Sequence, residues 1–190
     1  MAAARIPPLP EPEWDARVQQ LLGPWRIDTP AGPYVPNIFT TLARNPDLLA
    51  AWEPFAGEIL LRGALPARDR ELLVLRTAWN CAASYVWGQH AGNHGPAAGL
   101  SEAEIERVAD GPAAPGWSDS EVTLLHAADE LHAAATIAEA TWRLLAERYG
   151  DRQLIELTML VGEYHLMAFA LNSLGVQDES GAAGLPAQPD

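Results

Sequence analysis

The sequence contains no lysine, since all 12 of its basic residues are arginine. Schiff-base chemistry, anchoring of pyridoxal phosphate and a phosphate-binding P-loop all require lysine, so these three are excluded. A single cysteine, Cys81, permits neither an internal disulfide nor a zinc site built from several cysteines. The 25 acidic residues give a net charge of −13, which disfavours nucleic acid and anionic membranes as partners.

Long apolar runs are also missing. The first ten residues, MAAARIPPLP, lack the apolar segment of a secretory signal. Glu156, Glu163 and His165 interrupt the most apolar stretch, so we expect no membrane span and a cytoplasmic protein.

The 190 residues suffice for one domain with a sizeable core. We place this domain at residues 1–176, with its core at about residues 30–176. Residues 177–190 are rich in glycine, alanine, proline and acids and have little apolar surface. We therefore expect them to form a disordered tail.

Apolar residues recur at helical rather than strand spacing along the chain. This periodicity predicts an all-α protein with about eight helices. Three capping boxes predict successive helix starts, at Ser101 with Glu104, Ser118 with Glu121, and Thr136 with Glu139. The last predicted helix, from Asp151 to about Leu174, is apolar around its circumference, which predicts a subunit interface.

Residues 70–99 contain the most informative pattern. On one straight helix, Glu71 and His90 would lie roughly 28 Å apart, too far for shared chemistry. Asn80, Cys81 and Ser84 suit helix ends, however, because their side chains compete with the backbone bonds of a helix. We therefore predict that one helix ends near residue 80, and that a second folds back and brings Glu71 to His90.

The order Glu71, Leu75, Arg76, Tyr85, Trp87 and His90 resembles the core signature of the carboxymuconolactone decarboxylase / alkylhydroperoxidase-D-like family. The segments PNIFTTLARNPDLLAAW (36–52) and YGDRQLIELTMLVGEYHLMAFALNSLGV (149–176) are also similar, so the resemblance covers roughly residues 30–176. It implies an oligomeric alkylhydroperoxidase-D-like helical bundle, a homotrimer or homohexamer, with a dimer as an alternative. It also implies that Glu71 and His90 form a proton relay, with neither cofactor nor metal. The family's redox branch has a Cys-x-x-Cys pair at the positions of Ala83 and Val86, so this chain departs from that branch.

The candidate catalytic residues are Glu71, His90 and Tyr85. A carboxylate that hydrogen-bonds an imidazole orients the ring and raises its basicity, which suits proton transfer near neutral pH. The Tyr85 hydroxyl would donate to developing negative charge, and Trp87 would form a pocket wall. The structural alternative is an ordinary first-turn acid, a core histidine and aromatic rings that pack the core.

Other candidate substrate-binding residues are Ala83, Val86, His94, Arg76, Tyr34, Phe39 and His165. Arg76 is either an anchor for a substrate carboxylate or half of a buried salt bridge. The loop at residues 25–36, which contains Tyr34, would close over the pocket together with Phe39. His165 either completes a polar network or reaches the margin of the site.

His90 and His94 are spaced to present two nitrogens to a metal, with Glu71 or His165 as a third ligand. Gly92 and Gly95 loosen the helix there and the resemblance implies no metal, so none is predicted. His126, His132 and Cys81 are interpreted as structural or inert.

We expect a cofactor-independent enzyme that performs decarboxylation, isomerisation or cyclisation on a small organic acid, lactone or enolisable carbonyl compound. A non-catalytic ligand-binding or scaffold protein is the alternative, because a fold alone does not give activity. A thiol peroxidase is disfavoured, since that chemistry cycles two thiols through a disulfide.

Overall fold

The structure, a computed structural model, describes residues 4–30, 32–179 and 182–187. Within these ranges the chain is helical, with one isolated β-bridge between Ile27 and Tyr34. The all-α prediction is therefore confirmed. The described residues divide into two compact units, one of residues 4–62 with 170–179 and one of residues 63–169 with 182–187.

The first unit contains α1 (Ala16–Leu22), α2 (Asn37–Leu42) and α3 (Pro46–Leu61), with 3₁₀ turns at Glu11–Glu13 and Gly23–Trp25. Side chains cap two of these helices, because Asp15 accepts from the Val18 amide and Asn45 from the Leu48 amide. The helices bury a small apolar cluster made of Val18, Leu22, Ala43 and Leu49.

The second unit contains the candidate site. Its helices are α4 (Ala67–Asn80), α5 (Ser84–Gln89), α6 (Gly95–Ala97), α7 (Glu102–Asp110), α8 (Asp119–Ala134), α9 (Glu139–Arg148) and α10 (Asp151–Leu174). Only the part of α10 up to residue 169 belongs to this unit. A π-helical turn, His90–His94, joins α5 to α6. Helix α4 is the core of this unit, since it packs against α5, α7 and α8 and buries four consecutive apolar residues, 72–75, completely.

The predicted chain reversal after α4 is confirmed. Helix α4 ends at Asn80, and the Ala83 amide donates to the Ala78 carbonyl over 2.8 Å to close the turn. Ala82 adopts a left-handed conformation, with φ of 49°, which costs an alanine about 1–2 kcal/mol. Helix α5 then begins at Ser84 and leads to His90.

Two of the three predicted capping boxes are confirmed, those of Ser101 with Glu104 and Ser118 with Glu121. The third, Thr136 with Glu139, is wrong. Helix α9 begins only at Glu139, and no side chain of its N-cap residue bonds the helix. Glu130 of α8 caps the start of α9 instead, because its carboxylate accepts hydrogen bonds from the Ala138 amide at 2.8 Å and from the Thr141 hydroxyl at 2.7 Å.

Helix α10 leaves four large apolar side chains between 48% and 66% exposed, those of Ile155, Met159, Leu166 and Phe169. Contrary to the sequence expectation, this helix is long and apolar enough to span a membrane by its length and composition, because it contains few charged residues. Half of its most apolar stretch is buried inside the protein, and the core helices of soluble proteins have the same length and composition.

The predicted disordered tail, residues 177–190, lies partly outside the described residues, at 180–181 and 188–190. In the first unit, the Gln177 carbonyl and the Glu179 carboxylate accept hydrogen bonds from Asn37 at the start of α2, at 3.0 and 2.7 Å. In the second unit, residues 182–187 have no regular secondary structure and Ala183 lines a cavity. The described part of the tail thus makes contacts that its low apolar content does not predict.

Candidate functional site

Glu71 lies in α4 and is completely buried. Both of its carboxylate oxygens accept hydrogen bonds. Oε1 accepts from Nε of Arg70 at 3.1 Å, and Oε2 lies 2.6 Å from Nδ1 of His90. A buried carboxylate is costly unless it is paired and hydrogen-bonded, and Glu71 meets both conditions.

The charge state of Glu71 fixes the direction of its bond to His90. Burial raises the pKa of Glu71, but the hydrogen bond from His90 and the nearby charges of His90 and Arg70 outweigh burial, so the net pKa is lowered. Glu71 is therefore a carboxylate at neutral pH and can only accept, so Nδ1–H of His90 donates. When the ring is neutral, its lone pair lies on Nε2.

Tyr164 of α10 contacts the other side of the same ring. Its hydroxyl oxygen lies 3.1 Å from Nε2 of His90, and the two rings meet edge to face with centroids 5.1 Å apart. Burial raises the pKa of Tyr164 well above its usual range, so the hydroxyl keeps its proton and donates to Nε2 when that nitrogen carries the lone pair of the neutral ring. Glu71, His90 and Tyr164 thus form a continuous hydrogen-bonded chain, which we call the relay, across three parts of the second unit.

His94 lies beside the relay, at the end of the π-helical turn. Its ring centroid is 4.6 Å from that of His90. Burial, followed by the nearby His90, lowers the pKa of His94 to about 4. His94 is partly exposed, so near neutral pH it offers a neutral basic nitrogen closer to solvent than His90, which is only 5% exposed.

The remaining residues predicted from α5 are buried. Ala83, Tyr85, Val86 and Trp87 are each at most 4% exposed. Trp87 lines a cavity of about 1360 Å³ together with Ala91. Glu71 and His90 are not among the described lining residues of this cavity, and the roles of Tyr85 and its neighbours stay predictions.

Arg76 forms the salt bridge that the sequence left as one of two alternatives. Its Nε and Nη2 donate to the two oxygens of Asp129, at 2.6 and 3.0 Å. Its Nη1 donates to the carbonyls of Val108 and Ala109, at 2.9 and 3.0 Å, and the guanidinium lies over the Trp79 ring. A guanidinium held in this way ties α4 to α7 and α8, which favours the structural interpretation over the carboxylate anchor.

Three further candidates lie apart from the relay. Nδ1 of His165 contacts the Val161 carbonyl of its own helix, and Nε2 contacts Nδ1 of His132, which links His165 to α8 rather than to His90. Tyr34 and Phe39 belong to the first unit, where Tyr34 pairs with Ile27 and Phe39 stacks on Trp25 with ring centroids 4.1 Å apart. Their predicted closure over the pocket stays a prediction.

Two residues of the site, Tyr164 and Arg70, are not among those predicted from the sequence. Tyr164 is 74 positions from His90 in the chain. The feature of the sequence that could have indicated it is a hydroxyl between two polar residues inside an otherwise apolar helix. Arg70 adjoins Glu71 in the chain, and neighbours in a helix do not face each other, so spacing argued against the pair. The long arginine side chain reaches the carboxylate nevertheless.

The fold and the site together define an all-helical protein with a buried glutamate–histidine pair. The model of the Carboxymuconolactone decarboxylase family matches residues 46–130, which confirms the family resemblance seen in the sequence. No curated protein matches the chain in sequence.

Three solved structures resemble the chain over between 73% and 94% of its length. One is an uncharacterized peroxidase-related protein with an alkylhydroperoxidase AhpD core from Ralstonia eutropha JMP134, with a TM-score of 0.78 and 21% identity, covering 94% of this chain and 95% of that one. Another is the debrominase Bmp8 in complex with 2,3,4-tribromopyrrole, with a TM-score of 0.72 and 15% identity, covering 92% and 91%. A third is a putative antioxidant defence protein AhpD of unknown function from Agrobacterium tumefaciens, with a TM-score of 0.67 and 17% identity, covering 73% and 94%. At these identities the likeness shows a shared fold.

Proposed function

We propose that this protein is a cofactor-independent enzyme, a lyase or isomerase, that performs acid/base chemistry on a small organic acid, lactone or enolisable carbonyl compound. The reaction would be a decarboxylation, isomerisation or cyclisation. The observation that supports this proposal is the 2.6 Å bond between Nδ1 of His90 and the completely buried Glu71 carboxylate. A family that includes enzymes, and the fold shared with a debrominase, support enzymatic activity in general.

In the proposed mechanism the relay moves one proton. The Tyr164 hydroxyl turns from Nε2 of His90 toward a substrate carbonyl oxygen. Nε2 then takes the proton from the adjacent carbon, the C–H bonding pair moves into the carbonyl system, and Tyr164 donates a hydrogen bond to the resulting enolate oxygen. Glu71 stabilises the imidazolium through Nδ1–H, and His90 later returns the proton.

His94 extends this proposal toward solvent. Because its pKa is about 4, it stays neutral at the pH at which His90 would work and adds no positive charge beside the imidazolium. Its ring lies against that of His90, so it would form part of the wall that a substrate contacts on entry. Trp87, Val86 and Ala83 lie three, four and seven positions before His90, on the same face of the helix, and would contribute to the wall of the pocket.

A non-catalytic ligand-binding protein is the second candidate, and one observation favours it. Both ring nitrogens of His90 already have partners inside the protein, and the residue is only 5% exposed. A substrate must therefore displace Tyr164, whereas a binder needs no such movement. A thiol peroxidase has less support, because burial raises the pKa of the single thiol, Cys81, and so reduces its reactive thiolate form.

We also propose a cytoplasmic homo-oligomer, a trimer or hexamer in preference to a dimer. The exposed apolar side chains of α10 support this, since large exposed apolar patches mark interfaces in soluble proteins. The net charge of −13 argues against nucleic acid and anionic membranes as partners.

The test is a panel of β-keto acids, unsaturated lactones and 2,3,4-tribromopyrrole, with product formation followed by proton NMR. We expect turnover of at least one carbonyl compound by the wild-type protein. His90→Gln should lower that turnover by about 100-fold or more, the usual contribution of a general base. His126→Gln is the matched control, because His126 is an exposed histidine of α8 outside the relay. Binding without turnover would favour the second candidate, and equal turnover in both variants would refute the proposed role of His90.

A further inference from the structure

Three side chains that can bind metal converge away from the relay, and among the described residues they are the one such cluster of three. Cys81 follows α4, His132 lies in the last turn of α8, and His165 lies in α10. Sγ of Cys81 is 3.7 Å from Nδ1 of His132, which is 3.0 Å from Nε2 of His165. All three atoms lie within 4.8 Å of one another.

The arrangement of His165 is that of a metal ligand. Its Nδ1 lies 2.8 Å from the Val161 carbonyl one turn earlier in α10. A carbonyl oxygen can only accept, so Nδ1 carries the proton and the lone pair of Nε2 points into the cluster. Metal-binding histidines almost always donate their second ring N–H in this way, which fixes the ring and its tautomer.

The distances fit an ion of the size of zinc. Zinc binds sulfur at about 2.3 Å and imidazole nitrogen at about 2.1 Å, so tetrahedral ligands lie about 3.4 Å (N to N) and 3.6 Å (S to N) apart. The two hydrogen-bond distances of the cluster, 3.0 and 3.7 Å, are close to these values. The third distance, between Sγ of Cys81 and Nε2 of His165, is at most 4.8 Å. Even at this value, one point lies about 2.4 Å from all three atoms, which is close to the bond lengths of zinc.

We propose that Cys81, His132 and His165 bind a divalent metal ion of the zinc class. On binding, the Cys81 thiol gives its proton to solvent and its sulfur bonds the ion. Because Nε2 of His165 has no proton, Nδ1–H of His132 donates the hydrogen bond between the two rings. On binding, His132 breaks this bond, releases the Nδ1 proton to solvent, takes up a proton from solvent on Nε2, and binds the ion through Nδ1. One sulfur and two nitrogens leave a fourth position of a tetrahedral ion for water or a ligand.

The site is accessible and separate from the relay. His132 is exposed and Cys81 and His165 are partly exposed, so an ion reaches the cluster directly from solvent. Asp129, one turn before His132, is no competing ligand, because Arg76 and Asn80 hold its carboxylate. The site also differs from a His90/His94 metal pair, since Nδ1 of His90 is bound to Glu71.

The turn after α4 explains why the cluster forms. Ala82 takes the left-handed conformation immediately after Cys81, and this fixes the position of the thiol at the end of α4. Helix α4 packs extensively on α8, which holds the end of α4 beside that of α8. The three ligands thus come from elements that the core of the second unit already positions.

The test is a titration of the chelator-treated full-length protein with Co²⁺, which replaces zinc and reports thiolate ligation by a charge-transfer band in the near ultraviolet. We expect one equivalent of Co²⁺ to produce this band and Zn²⁺ to abolish it by displacement. Cys81→Ser should remove the band, and His132→Gln and His165→Gln should each weaken binding at least about tenfold. His126→Gln, a change to an exposed histidine of the same helix α8, should leave the band and the affinity for Co²⁺ unchanged.

Several results would overturn the proposal. One is the absence of the band at stoichiometric Co²⁺ in wild-type protein that circular dichroism shows to be folded. Others are a band that survives Cys81→Ser, or binding that His94→Gln weakens and His132→Gln does not. His132→Gln keeps the test decisive if the more buried variants fail to fold, since His132 is exposed.

Discussion

Glu71→Gln tests the energetic basis of the relay. Glutamine has the size of glutamate and can still accept from His90 through its oxygen. Its NH₂ group would then face Nε–H of Arg70, so that two donors oppose each other where a 3.1 Å charge-assisted bond existed. Hydrogen bonds to charged groups contribute about 1.5–3 kcal/mol, and the Arg70 side chain, 17% exposed, regains only part of its hydration.

We therefore expect Glu71→Gln to lower the free energy of unfolding by about 2 kcal/mol, a factor of about 30 in the ratio of folded to unfolded protein. Glu71→Ala should cost more, about 3–5 kcal/mol, because it also leaves Nδ1–H of His90 buried without its acceptor. The measurement is urea unfolding at neutral pH, followed by circular dichroism.

The matched control is Glu139→Gln. Glu139 pairs with Arg143 one turn along α9, and both side chains are at least 70% exposed. Such a pair contributes no more than about 0.5 kcal/mol. If Glu71→Gln were as mild as this control, the buried network would not stabilise the fold as argued.

Three further predictions concern other parts of the second unit. The hydrogen bond from Arg68 lowers the pKa of Glu104 from 4.5 to about 2. The free energy of unfolding of the wild-type protein, measured with urea, should therefore exceed that of Glu104→Gln by a constant amount above pH 4.5, and this difference should shrink toward pH 2. Burial lowers the pKa of His94 to about 4, so its NMR signals should not titrate between neutral pH and about 5. Gly111→Ala should lower the free energy of unfolding, measured by calorimetry, by about 1–3 kcal/mol. The reason is that φ of Gly111 is 81° and an added Cβ would lie 2.9 Å from Nη2 of Arg76.

The sequence predicted those parts of the fold that depend on local chemistry. Asn80 and Ser84 mark the chain reversal because their side chains compete with the helix backbone, and the helices end and begin at these two residues. The capping box of Ser118 is equally local and was predicted correctly. The box of Thr136 failed because Glu130, on another helix, binds the start of α9.

The parts of the site that depend on distant contacts were not predictable in this way. The hydroxyl next to His90 was assigned to Tyr85, five residues away, whereas a hydroxyl hydrogen-bonded to His90 comes from Tyr164 on α10. His165 was expected either in a polar network or at the site margin, and it contacts His132 on α8 in a polar network. Both outcomes depend on how α10 is rotated against its neighbours, which helical periodicity cannot specify for a helix that is apolar on all sides.

The most direct test of the relay is proton transfer itself, measured as deuterium incorporation from D₂O into the carbon next to the carbonyl group of a bound keto acid. Wild-type protein should catalyse this exchange, His90→Gln should slow it by about 100-fold or more, and Tyr164→Phe should slow it less, since Nε2 of His90 keeps its lone pair. Exchange that proceeds at the wild-type rate in His90→Gln would contradict the assignment of His90 as the proton-transferring base.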